Sequence, residues 1–368
     1  MQSLLVKNCD WVVTQDKNRE VARDASIFIQ DGEIKQIGKS VRSPADSEID
    51  GRGRIALPGL INTHTHLSMT MFRGYADDML LQDWLQKKIW PLEAKLTGEA
   101  CYYGALLGSA EMSLSGTTSF VDMYFYMEDV ARAVAKSGLR GFLSYGIIDL
   151  MDPAKARMEQ EKARKFFDYI RGLGNPRIRF ALGPHAPYTC SAETLLWAKE
   201  FAEKNDVIDH IHVAETRKEQ ADSQQQHGMR IVEYLDKIGA LSKKMLAAHC
   251  AWLTKSEVAL LAKAGVGVAH LGVGQGLVEL GNGIIQPSLA AVGLPEEHHQ
   301  LRAVGQGADG GGEGVLCFPC AVRLQHEGPR QFHVELCPGG VELHRLAHLL
   351  DAGVELALGH QHLALEEA

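Results

Sequence analysis

The chain has 368 residues, a formal net charge of -8, 45% hydrophobic residues and 23% charged residues. Its length suits one barrel plus a smaller module, and the composition excludes long disordered or collagen-like stretches. Mild acidity argues against a nucleic-acid or membrane-surface binder, which needs basic patches.

Residues 3–14, 26–38 and 47–56 read as short strands broken by Asp-Gly and Gly-Arg-Gly turn signals. Asp31-Gly32, set between two alternating apolar runs, predicts a hairpin. From Leu57 the rhythm changes. Seven apolar runs, LPGLINTHTHL, TTSFVDMYF, LRGFLSYGIID, IRFALGPHA, DVIDHIHVAET, KMLAAHCAWL and GVGVAHL, alternate with segments of helical period such as AKARMEQEKARKFFDYIRGL and SAETLLWAKEFAEKN. Strands apolar on both faces and separated by helices predict a parallel sheet. Seven such units in succession favour a closed α/β barrel of the (β/α)₈ TIM type, preceded by a small N-terminal β-domain. The expected divisions are residues 1–56 for the β-domain strands, 57–310 for the barrel and 311–368 for an atypical C-terminal segment. No signal-peptide layout opens the chain and no apolar run is long enough to span a bilayer. The seven cysteines form no disulfide framework, so the expected location is the cytoplasm.

Polar residues gather where these strands end, the face on which barrel enzymes build their sites. His64 and His66 stand at i and i+2, so both imidazoles point to one side of a strand. His185, His212 with Glu215, and His249 close three further strands. Five imidazoles and a carboxylate at four strand ends are hard to explain as packing, because buried polar groups need partners. A mononuclear metal centre explains them better, with zinc the leading candidate. Such a site suits hydrolysis or hydrolytic deamination, with Glu215 placed to carry a proton.

The segments LPGLINTHTHLSMTMFRGYADDMLLQDWLQKKIWPLEAKLT, GTTSFVDMYFY, GPHAPYTCS, HVAETRKE and LAAHCAWLT resemble the amidohydrolase superfamily, and within it the 5-methylthioadenosine/S-adenosylhomocysteine deaminases. The resemblance runs from residue 3 to about residue 270. It implies one zinc ion per subunit held by His64, His66 and His212, Glu215 as proton shuttle, and His249 orienting the attacking water. It further implies that Glu93 accepts the ribose hydroxyls and that His185 bonds a purine ring nitrogen. Of two arginines expected around the carboxylate of a homocysteine tail, Arg157 falls in one place, while Tyr145 holds the other. A tyrosine cannot pair bidentately with a carboxylate, which tilts the expectation toward methylthioadenosine or adenosine-like nucleosides. The expected partner is therefore a small nucleoside, with neither nucleic acid nor membrane, and a homo-oligomer is a family expectation. Two other readings stay open: a guanine deaminase or triazine chlorohydrolase of the same barrel group, and an inactive barrel.

The resemblance fails beyond His270. The family has a Ser- and Asn-rich stretch and then a Thr-Asp-Gly whose Asp completes the zinc site; the nearest counterpart here is Asp309, inside the Gly-rich run GADGGGEG. The C-terminal part of the small β-domain reads as degenerate or missing. Cys317 and Cys320 form a lone Cys-x-x-C, weak evidence for a metal or redox role. Lys is absent after Lys263, Thr after Thr254, Met after Met245 and Tyr after Tyr234, while residues 271–368 hold 17 of the 37 Gly. A change of reading frame near residue 271 would leave such an alphabet. Resequencing the coding DNA across codons 265–310 is expected to recover a Ser-Asn-rich stretch and Thr-Asp-Gly in a shifted frame. A shifted frame with neither would refute it.

Overall fold

The computed structural model describes residues 3–41, 43–76 and 79–270, together with short strands between residues 315 and 362. Two compact units emerge: one contains residues 3–60 and 113–118 with the late strands, and the other contains residues 61–112 and 119–270.

The first unit is an antiparallel-rich sheet built on β1 (Ser3–Val13), β2 (Val21–Gln30), β3 (Glu33–Gly38), β4 (Ser47–Asp50) and β5 (Ile55–Leu57). β2 and β3 pair antiparallel around Asp31 and Gly32, at φ 53° and 80°. Two successive left-handed residues make the tight turn that matches strand twist, as the Asp-Gly step predicts. Val6, Cys9, Val12, Ala25, Ile27 and Ala56 form its core.

The second unit follows a different order. Its strands are β6 (Leu60–Thr65), β7 (Thr117–Tyr124), β8 (Arg140–Ile147), β9 (Ile178–Pro184), β10 (Ile208–Val213), β11 (Met245–His249) and β12 (Gly267–Ala269). They lie side by side in chain order in one seven-stranded sheet, and the pairings from β7 to β12 are parallel. An open doubly wound sheet reverses its order at a switch point; this sheet does not, and it forms the nearly closed wall of a (β/α)₈ barrel. The helices are α1 (Leu81–Trp84), α2 (Trp90–Glu93), α3 (Gly98–Leu114), α4 (Met127–Ser137), α5 (Pro153–Leu173), α6 (Ala192–Asn205), α7 (Arg217–His227), α8 (Ile231–Lys237) and α9 (Lys255–Ala264). No helix among the described residues is long and apolar enough to cross a membrane. Cys9, Cys101, Cys190 and Cys250 are buried free thiols.

The late strands are β13 (Val315–Cys317), β14 (Cys320–Gly328), β15 (Gln331–Leu336), β16 (Ala357–Leu358) and β17 (Gln361–His362). Although the sequence shows no recognisable closing strands here, β13 pairs with β5 and β14 and β15 extend the first unit's sheet. In that pairing Cys317 and Cys320 are partners across β13 and β14.

Candidate active site

Period-2 alternation aims His64 along one face of β6, and His66 follows the strand directly. After them the chain turns through a 3₁₀ segment, Leu67–Phe72, which packs close to α3. Gly104 and Gly108 make this approach feasible: a Cβ at either would meet the carbonyl oxygen of Ser68 at 2.5 Å or of Leu67 at 2.9 Å. On the β7 side, the buried Asp122 accepts from Leu67 N at 2.7 Å and fixes the exit from β6.

The donor atoms of His64, His66 and His212 lie within 4.8 Å of one another. His66 Nδ1 donates to the Met123 carbonyl and His212 Nδ1 to the His185 carbonyl, both at 2.6 Å. A carbonyl only accepts, so each Nδ1 must carry the proton and each Nε2 is a free lone pair; the two Nε2 atoms stand 3.2 Å apart. His64 Nδ1 is engaged at 2.8 Å by His210 Nε2, which leaves Nε2 as the nitrogen His64 has to offer. Burial lowers all three imidazoles below the usual histidine range. Neutral imidazole is the form that binds a divalent ion, so the donor set fits a metal.

Beside this cluster, β10 and β11 end in strained backbone, with the His249 ring 5.1 Å from that of His64 and 5.4 Å from that of His212. Ala214 has φ 52°, His249 71° and Cys250 49°, and such left-handed non-glycine residues cost of order 1–3 kcal/mol each. The turns are locked together, with Cys250 N bonded to Val213 O at 2.9 Å and Ala251 N to Ala214 O at 3.1 Å. The result brings Glu215 Oε2 to 3.6 Å from His249 Nε2, longer than a hydrogen bond. Burial lowers His249 to about 4, with His66 and His270 adding to the effect, so the two groups face one another without forming an ion pair at neutral pH. Burial, then the neighbouring Glu219, pushes Glu215 up to about 7. Glu219 also fixes its backbone, accepting from Glu215 N at 3.2 Å within the Thr216–Glu219 capping box that starts α7.

His185 lies beside this group, its ring 4.8 Å from that of His212 and its Nδ1 2.9 Å from Thr189 Oγ1. Glu93, half-buried at the end of α2, accepts from the Tyr124 hydroxyl at 2.8 Å. Burial raises its pKa.

The structure thus gathers His64, His66, His185, His212, Glu215 and His249. It does not do so for Tyr145, whose hydroxyl donates to the buried Glu159 of α5 at 2.7 Å and lies 3.4 Å from Lys162 Nζ. Arg157 is exposed on α5. Asp309 lies outside the described residues. Three participants escaped the sequence reading. Asp122 and Tyr124 share a face of β7, and His210 shares a face of β10 with His212; the i, i+2 rule that singled out His64 and His66 applies to them too.

A model of the amidohydrolase family matches residues 55–318. Among curated proteins, the chain is 51% identical over 250 residues to a 5′-deoxyadenosine deaminase of Methanothermobacter thermautotrophicus, covering 67% of this chain and 58% of that protein. It is 42% identical over 281 residues to a 5-methylthioadenosine/S-adenosylhomocysteine deaminase of Pyrococcus furiosus, covering 76% and 66%. Among solved structures, an adenosine deaminase from Xanthomonas campestris with bound zinc superposes with a TM-score of 0.67 at 32% identity, over 73% of this chain and 62% of that one. The chain spans about three-fifths of the length of these relatives.

Proposed function

Because the chain belongs to the amidohydrolase family, we propose that it is a zinc-dependent aminohydrolase that replaces the C6 amino group of an adenosine-type nucleoside with oxygen and releases ammonia. The observation that carries this reading is the convergence of the three imidazoles beside the Glu215–His249 pair. Zinc held by His64, His66 and His212 would supply a Lewis acid that brings the pKa of a water toward neutrality.

The protein's own groups do the remaining work. Glu215 accepts the proton of the attacking water and passes it to the departing amine. A carboxyl tuned to about 7 by burial suits both halves of that transfer, because the two protonation states are close in free energy. His249, held neutral, hydrogen-bonds the attacking oxygen and sets its direction. His185 bonds a ring nitrogen of the purine, with Thr189 fixing its ring. Glu93 takes the ribose hydroxyls, since a carboxylate accepts from two O–H donors at once, and Tyr124 orients it.

The 5′ substituent is where the family's members differ, and here the features of this chain favour a small uncharged group. The position expected to carry an arginine is Tyr145, and its hydroxyl is committed to a carboxylate, Glu159. With no guanidinium there, one of the two bidentate partners expected for an amino-acid tail is missing, and Arg157 is the one left. A panel of nucleosides tests both levels of the reading. We expect kcat/KM for 5′-deoxyadenosine and 5′-methylthioadenosine to exceed that for S-adenosylhomocysteine by at least about tenfold, the order of one lost charge-assisted contact. Equal or better use of S-adenosylhomocysteine would refute the specificity. Turnover of guanine alone would move the chain to another branch, and the absence of both stoichiometric zinc and turnover would mark an inactive barrel.

A further inference from the structure

The geometry points to His210 as a positioning residue that holds His64 in its metal-binding tautomer. The inference rests on the proposal that His64, His66 and His212 hold zinc. His64 and His210 stand on β6 and β10, strands that are not neighbours in the sheet, so their 2.8 Å contact crosses the barrel interior. His210 is fully buried, and its Nδ1 has no hydrogen-bond partner among the described residues.

Two arrangements satisfy this contact. In one, His64 Nδ1–H donates to the lone pair of His210 Nε2. His64 Nε2 is then free to bind a cation, and His210 must carry its own proton on the unpartnered Nδ1. In the other, His210 Nε2–H donates to His64 Nδ1, the His64 proton moves to Nε2, and ligation through that nitrogen is blocked. His66 and His212 have no such choice, because their Nδ1 partners are carbonyls. His64 is therefore the one ligand of the three whose tautomer depends on another side chain. In the first arrangement the lone pair of His210 Nε2 serves as the acceptor that fixes the proton on His64 Nδ1. The buried, unsatisfied Nδ1–H is the cost of that service, and it explains why a polar ring is kept where a leucine would pack without an orphan.

Two substitutions separate positioning from packing. His210→Leu removes the acceptor and is expected to weaken zinc binding about 10–100-fold, the usual range for losing a group that orients a ligand histidine. Chelator competition reads that affinity. The melting temperature of the metal-free protein should not fall in parallel, since the variant also removes an unsatisfied buried group. His210→Gln sets an amide oxygen near the former Nε2 and should recover most of the affinity. Wild-type affinity in His210→Leu overturns the inference, as does an equal loss in both variants with a matching fall in melting temperature. A long-range ¹H–¹⁵N spectrum of the zinc-loaded wild type is independent of any variant: His210 protonated on Nδ1 is expected, and His210 protonated on Nε2 overturns the assignment. If wild type takes up no zinc in the same competition, the metal-site reading itself fails and this inference falls with it.

Discussion

Glu215→Gln is expected to reduce deamination by about 10²–10⁴-fold, the range for removing a general acid–base, while zinc stays bound at the wild-type level. The amide matches the carboxylate in size, and Glu215 is not among the three converging imidazoles, so the donor set is left intact. What disappears is the group able to take and return a proton. The strained turns at Ala214 and His249 are held by backbone hydrogen bonds that the substitution does not touch. Ammonia release against elemental zinc content checks both halves. Loss of zinc along with activity would mean that Glu215 helps hold the metal, and near-normal turnover would mean that another group moves the proton.

Much of this arrangement was legible in the sequence because it depends on short-range geometry. The spacing of His64 and His66 needs only the period of a strand. The positions of His185, His212 and His249 need only the rule that barrel sites sit where strands end. What the sequence hides is contact between distant elements. The pairing of Glu93 with Tyr124 joins α2 to β7 across 31 residues of sequence. His210 sits deeper in its strand than the end that draws attention, and its partner lies 146 residues away. Tyr145 shows the opposite failure: its place in the motif points to the substrate, yet its hydroxyl is committed to Glu159 on the helix that follows its strand. The left-handed turns at Ala214, His249 and Cys250 carry no glycine to announce them.

Asp209→Asn is expected to stabilise the protein, and increasingly so as the pH rises from about 5 to 8. Asp209 shares a face of β10 with Ile211 and Val213, and these pack into a buried apolar cluster with Leu195, Ile231 and Leu235. The residue is 1% exposed, and its Oδ1 has no partner among the described residues. Burial raises its pKa from 3.8 to about 7. Between those two values the folded chain keeps a proton that the unfolded chain has released, so stability falls as pH rises through the interval. Below about 4 both states are protonated and the group contributes no difference; above about 7 the full cost is present. Three units at about 1.4 kcal/mol each set an upper bound of about 4 kcal/mol. Asparagine is neutral at every pH and close in shape, so it lacks this cost. Thermal melts of the two proteins across the range read the difference directly. It should be smallest at the acid end and level off near pH 8. A constant difference, or an asparagine variant that loses ground as pH rises, would show that the carboxylate is compensated. Burial thus raises three carboxyls, Asp122, Asp209 and Glu215, to about 7. Glu215 faces imidazoles that can use its proton, whereas Asp209 lies on the apolar face of its strand, where the shift is only a loss of stability.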